Sequence, residues 1–73
     1  MSERVLREVL SRRDPQGYYV VPAAREGLKA LSKELLEQVL VEEAGDVVLI
    51  RTKSRRVAEA VARTLLSKGY LRT

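Results

Sequence analysis

Val47-Val48-Leu49-Ile50 sets four apolar β-formers in a row, with Gly45-Asp46 before them and Arg51 after. A run of this kind is the clearest strand signal in the chain. Tyr18-Tyr19-Val20-Val21 has the same character. It is apolar throughout rather than alternating, which predicts burial on both faces. One tyrosine is then expected in the core and its neighbour nearer to water. Pro22 is expected to end this strand and to open a helix, since proline is tolerated in a first helical turn.

Helical spacing surrounds the two strands. Val5, Leu6, Val9 and Leu10 form one apolar stripe, closed by Asp14-Pro15-Gln16-Gly17, a turn signal that a helix cannot cross. Arg12 and Arg13 suit the last turn of that helix. Between residues 23 and 44, Leu28, Leu31, Leu35 and Val39 recur at helical spacing, and Leu36 and Leu40 widen the stripe. A continuous helix there would be about 33 Å long, against roughly 17 Å for a typical strand. A break is therefore expected at Ser32, which can cap a second segment from Lys33. Glu42 and Glu43 sit badly at a helix C-terminus. They leave an alternative, with a strand over residues 39 to 42 and Ala44-Gly45-Asp46 as a hairpin turn. The helix is preferred because Gly45 suits the position just past a helix end. In the last helix, Thr52 or Ser54 is the cap and Ala58, Val61, Ala62, Leu65 and Leu66 are the buried stripe. Gly69 closes it, with Tyr70 or Leu71 making the accompanying apolar contact.

The expected fold is α/β, a single small domain over residues 1 to 73 in the order α-β-α-β-α. Its two short strands are joined by a right-handed parallel crossover. Two strands are marginal alone, so a homodimer is expected to complete the sheet. The alternative is a winged-helix-like arrangement with the middle helix broken near Ser32. Its segment from Lys33 would enter a DNA groove, but Lys33, Glu34, Glu37 and Gln38 are mixed in charge, which opposes insertion.

Composition narrows the function. The interior is built from Val, Leu and Ala without Phe or Trp, and a chain this short buries a marginal core. Cys, His and Asn are absent while Arg and Glu abound, a balance that leans toward a thermophile. Without Cys or His there is no disulfide, no ordinary zinc site and no common general base. No glycine-rich phosphate loop occurs either. The expectation is a protein that is not an enzyme and takes no metal, cofactor or small-molecule substrate. No apolar run approaches the ~20 residues that span a membrane, so a cytoplasmic place is expected.

The net charge of +4 is concentrated. Arg51, Lys53, Arg55 and Arg56 crowd the passage from the second strand to the last helix. A helix start carries partial positive charge and free N–H groups, so cations there are unfavourable until an anion arrives. Guanidinium groups fit phosphate oxygens with two parallel hydrogen bonds. The expected partner is therefore nucleic acid, DNA or RNA, bound with little sequence specificity. Arg51, Lys53, Ser54, Arg55 and Arg56 would hold phosphates, and Arg63 would extend the surface. The competing expectation is an assembly module without any nucleic-acid role, because Leu35, Leu36, Val39 and Leu40 exceed one helical stripe. Val47–Ile50 with its basic turn and Ala-rich helix is also similar to the strand–helix opening of the Alba chromatin proteins, over part of the chain and in apolar pattern.

Overall fold

The computed structural model describes residues 2 to 72. Helix α1 (Ser2–Ser11) leads into strand β1 (Tyr19–Ala24). A 3₁₀ segment (Arg25–Ala30) and a single helical turn, α2 (Lys33–Leu36), come next. Strands β2 (Leu40–Ala44) and β3 (Val47–Thr52) form a hairpin, and α3 (Arg55–Lys68) closes the chain. The three strands make one antiparallel sheet in the order β1-β3-β2.

This corrects the middle of the expected fold. Residues 23 to 44 are not a helix, the sheet is not parallel, and its third strand comes from the same chain. A second protomer is thus not what completes it. The break at Ser32 is present: its Oγ accepts from the Leu35 N–H at 3.2 Å. The helix that Ser32 caps is a single turn, too short to lie along a DNA groove as the winged-helix alternative requires. The hairpin alternative holds instead. Gly45 has φ +69°, and Asp46 does not share the positive φ. Those signs, in a two-residue loop between β2 and β3, define a type II′ turn, whose twist suits adjacent strands. The two glutamates decide between the readings. At a helix end they would face the negative pole. In the hairpin, Glu42 reaches Arg51 at 2.7 Å and Glu43 reaches Arg25 at 3.2 Å.

Pro22 does not end β1. The Arg72 N–H donates to the Pro22 carbonyl at 2.9 Å, and the Ala24 N–H donates to Tyr70 at 2.8 Å. Even-numbered residues of β1 therefore turn their backbone groups away from β3. The N–H that proline lacks belongs to that outer edge, where the ladder loses nothing. Leu71 bridges Ala23 and covers the same edge.

Both long helices lie on one face of the sheet. Tyr19, Val21 and Ala23 of β1 and Val48 and Ile50 of β3 meet Leu6, Val9 and Leu10 of α1 and Ala58, Val61, Ala62 and Leu65 of α3. Each Val, Leu or Ile side chain enclosed there contributes about 1.5–3 kcal/mol. Burial on both faces, expected of β1, is not found. Val20, Pro22, Val47 and Leu49 alternate onto the open face and stay half-buried. Gly27 admits the 3₁₀ segment against α3: a Cβ there would stand 2.7 Å from Leu65 Cδ2 and 3.0 Å from Tyr70 Cβ. Past the end of α3, Gly69 takes φ +81°. Its N–H donates to Leu66 at 3.1 Å and that of Tyr70 to Leu65 at 2.8 Å, which is the Schellman pattern. Helix α1 stops before Arg12 and Arg13. Arg13 instead donates to the Tyr19 hydroxyl at 2.6 Å and stacks 4.6 Å from its ring centroid. Among the described residues no helix is long and apolar enough to cross a membrane.

Candidate functional site

Three chain segments converge at one end of the sheet. Tyr19 pairs with Thr52 and Leu40 pairs with Arg51, so the start of β1 and the start of β2 flank the junction between β3 and α3. Two short hydroxyl side chains shape that junction. Buried Thr52 accepts from the Ser54 N–H at 3.2 Å. Ser54 Oγ accepts from the Val57 N–H at 3.2 Å, and its carbonyl accepts from Ala58 at 3.0 Å. Ser54 is thus the cap of α3, its Oγ accepting from Val57 while its O–H can still donate. The N–H groups of Arg55 and Arg56 open the helix and have no carbonyl four residues back within it.

The cations expected at this site separate into two sets. Lys53, Arg55 and Arg56 are exposed, and among the described residues none of them lies in an ion pair. The Lys53 ammonium stands 5.1 Å from the centroid of the Tyr18 ring. Arg51 and Arg63 are engaged by carboxylates. Arg51 bridges Glu42 at 2.7 Å and Asp14 at 3.5 Å and keeps only 31% of its side chain exposed. Its Nε is buried with no hydrogen-bond partner. Asp14 is itself fixed, accepting from the N–H groups of Gln16 at 3.0 Å and Tyr18 at 2.8 Å. Arg63 holds Glu59 at 2.9 Å and Glu3 of α1 at 3.4 Å. Its pKa is raised, first by the hydrogen bond to Glu59 and then by the charge of Glu3, so the guanidinium stays a cation.

Arg63 is thus paired with Glu59 four residues before it and, against expectation, does not lengthen a free basic stripe. Sequence reasoning missed the engagement of Arg51. Its signal was the hairpin register: a two-residue loop at Gly45-Asp46 sets Leu40 opposite Arg51 and places Glu42 on the diagonal, within reach of a long side chain. It also missed residues 37 to 40. These face Lys53 and Ser54 across an open cleft of about 450 Å³ with Tyr18 at its side. Among the described residues no three His, Cys, Asp or Glu side chains gather to hold a metal ion. No family model, curated protein or solved structure matches the chain.

Proposed function

We propose that the protein binds nucleic acid with little sequence selectivity, with Lys53, Arg55 and Arg56 and the first N–H groups of α3 holding phosphates. One observation carries this reading. Three exposed cations with no carboxylate partner among the described residues stand where the helix dipole opposes them, while Arg51 and Arg63 nearby are neutralised within the chain. An arriving phosphate removes that mismatch and takes the open N–H groups. Phosphate contacts position a polymer and carry no sequence information, hence the low selectivity. The test is binding of short DNA and RNA oligomers at low salt to the protein and to Arg55→Glu/Arg56→Glu. Loss of binding in the variant supports the site. Equal affinity would remove it, and no binding of any oligomer would remove the class.

A second reading, self-association, rests on β2. All five of its residues are exposed, among them Leu40 at 57% and Val41 at 41%. An open edge strand offers unpaired N–H and C=O groups to another strand. Charges usually blunt such edges, but Glu42 and Glu43 are already paired with Arg51 and Arg25. Sedimentation at rising concentration tests this. Val41→Lys should shift a dimer to monomer, and a wild type that stays monomeric refutes the reading.

A further inference from the structure

We propose that the cleft beside the α3 N-terminus takes an unstacked nucleobase, which makes the preferred ligand single-stranded. This rests on the phosphate reading above and adds to it which form of nucleic acid is bound and where its base goes. The cleft lies between residues 37 to 40 and the β3–α3 junction, and its wall includes Tyr18, Gln38, Val39, Leu40, Lys53 and Ser54. Its volume of about 450 Å³ falls in the range of small-ligand sites, about 300–1,000 Å³.

Three features of this cleft fit a base. First, Tyr18 has no core role. Its neighbour Tyr19 is 4% exposed and fills the interior, while Tyr18 is half-buried at the cleft edge. Lys53 Nζ stands 5.1 Å from the centroid of its ring, so that face meets a long exposed side chain and not packed core, and a planar group can take the ammonium's place. Aromatic faces beside cationic grooves are how single strands are held irrespective of sequence. Secondly, Leu40 and Val39 add apolar surface that no element of this chain covers fully; Leu40 is 57% exposed. A sugar-phosphate chain gains nothing from that surface, whereas the face of a base does. Thirdly, charge divides the site. Lys53 lines the junction side, with Arg55 and Arg56 following it in the chain, and Glu37 belongs to the other lining segment. Phosphates are drawn to the junction and repelled from the far wall, where only an uncharged base can enter. Gln38 uses its amide N–H₂ on the Glu34 carbonyl at 3.2 Å, which leaves its oxygen to accept from a base edge.

A duplex meets none of these needs, because its bases stay stacked and present only their edges. Its backbone would also require a longer basic track, and Arg63, the next cation along α3, is held by Glu3 and Glu59.

The experiment compares a single-stranded oligomer with the matching duplex, by fluorescence anisotropy, on the wild type, Tyr18→Ala, Tyr18→Phe and Arg55→Glu/Arg56→Glu. Because the chain has three tyrosines and no tryptophan, tyrosine emission gives a second readout. The wild type should bind the single strand more tightly and lose part of its tyrosine emission on binding. Tyr18→Ala should weaken single-strand binding by roughly 5- to 150-fold, the span of aromatic stacking. Tyr18→Phe should keep the affinity and lose the quenching, which also shows that the fold tolerates change at this position. Duplex binding should respond only to the charge-reversal variant. If Tyr18→Ala binds the single strand as the wild type does, or if duplex is preferred, the base site is refuted while the phosphate reading stands. If the charge reversal changes nothing, the phosphate reading falls and takes the base site with it.

Discussion

Salt dependence offers the sharpest test of which cations are free. Each phosphate neutralised on a single strand releases counterions and adds about 0.7 to the slope of log affinity against log salt. Lys53, Arg55 and Arg56 are the cations at the junction without carboxylates, so one protomer should give a slope near −2.1. Raising salt from 50 to 200 mM should then weaken binding about 18-fold. Arg55→Gln/Arg56→Gln leaves Lys53 alone, and the same change of salt should weaken binding only about 2.6-fold, a slope near −0.7. Arg51→Gln and Arg63→Gln should keep the wild-type slope, because those guanidinium groups already face Glu42 and Asp14, or Glu59 and Glu3. The assay is a salt titration by anisotropy, with an oligomer of about eight nucleotides, within the reach of one small domain. A wild-type slope near −3.5, with Arg51 and Arg63 each contributing a unit share, would mean that the ion pairs open for phosphate. The division into free and engaged cations would then be wrong.

Three stability predictions accompany it. Gly27→Ala should destabilise by about 1–3 kcal/mol through overpacking, since Leu65 is fully enclosed and Tyr70 Cβ is part of a tied-down segment; an unchanged urea midpoint would refute the close approach. Gly45→Ala should cost about 1–2 kcal/mol, the left-handed penalty for a residue with a Cβ, because nothing crowds the site but its φ is +69°; a neutral result in the same urea assay would discard the type II′ turn. Calorimetry should place unfolding above about 65 °C, the top of the mesophile range, in keeping with the composition and with Arg51 and Arg63 each spanning two carboxylates; a midpoint near 50 °C would count against a thermophilic character.

Much of this architecture was legible from residue order. The stripes at Val5 to Leu10 and Ala58 to Leu65 do face the core, and Ser32, Ser54 and Gly69 punctuate the chain where their chemistry predicts. The failure lay in residues 23 to 44, where a leucine repeat matched helical spacing. Leu31 is buried and Leu28, Leu35, Leu36 and Val39 pack on the core, so the repeat did report which side faces inward. It could not distinguish one long helix from a 3₁₀ segment and a single turn that keep the same side inward. Two local signals pointed the other way, the paired glutamates and the glycine-aspartate loop, and both act through partners distant in sequence. Pro22 misled for a related reason: whether a proline ends a strand depends on which edge it faces, and that is settled only when the pairing is known. At the candidate site, the crowding of cations was plain, but their division was not. It depends on Asp14 and Glu3 arriving from α1 and the turn after it.

The two rims of the sheet are unequal, and this limits how copies can add to one another. Along β1 residues 70 to 72 occupy outward groups of Pro22 and Ala24 that another strand would seek. Among the described residues β2 is the receptive rim. A molecule with a single receptive rim can join one twin and then has nothing further to offer, so growth stops at a closed couple. If copies do pair through the folded sheet, residues 70 to 72 oppose its growth into a fibre.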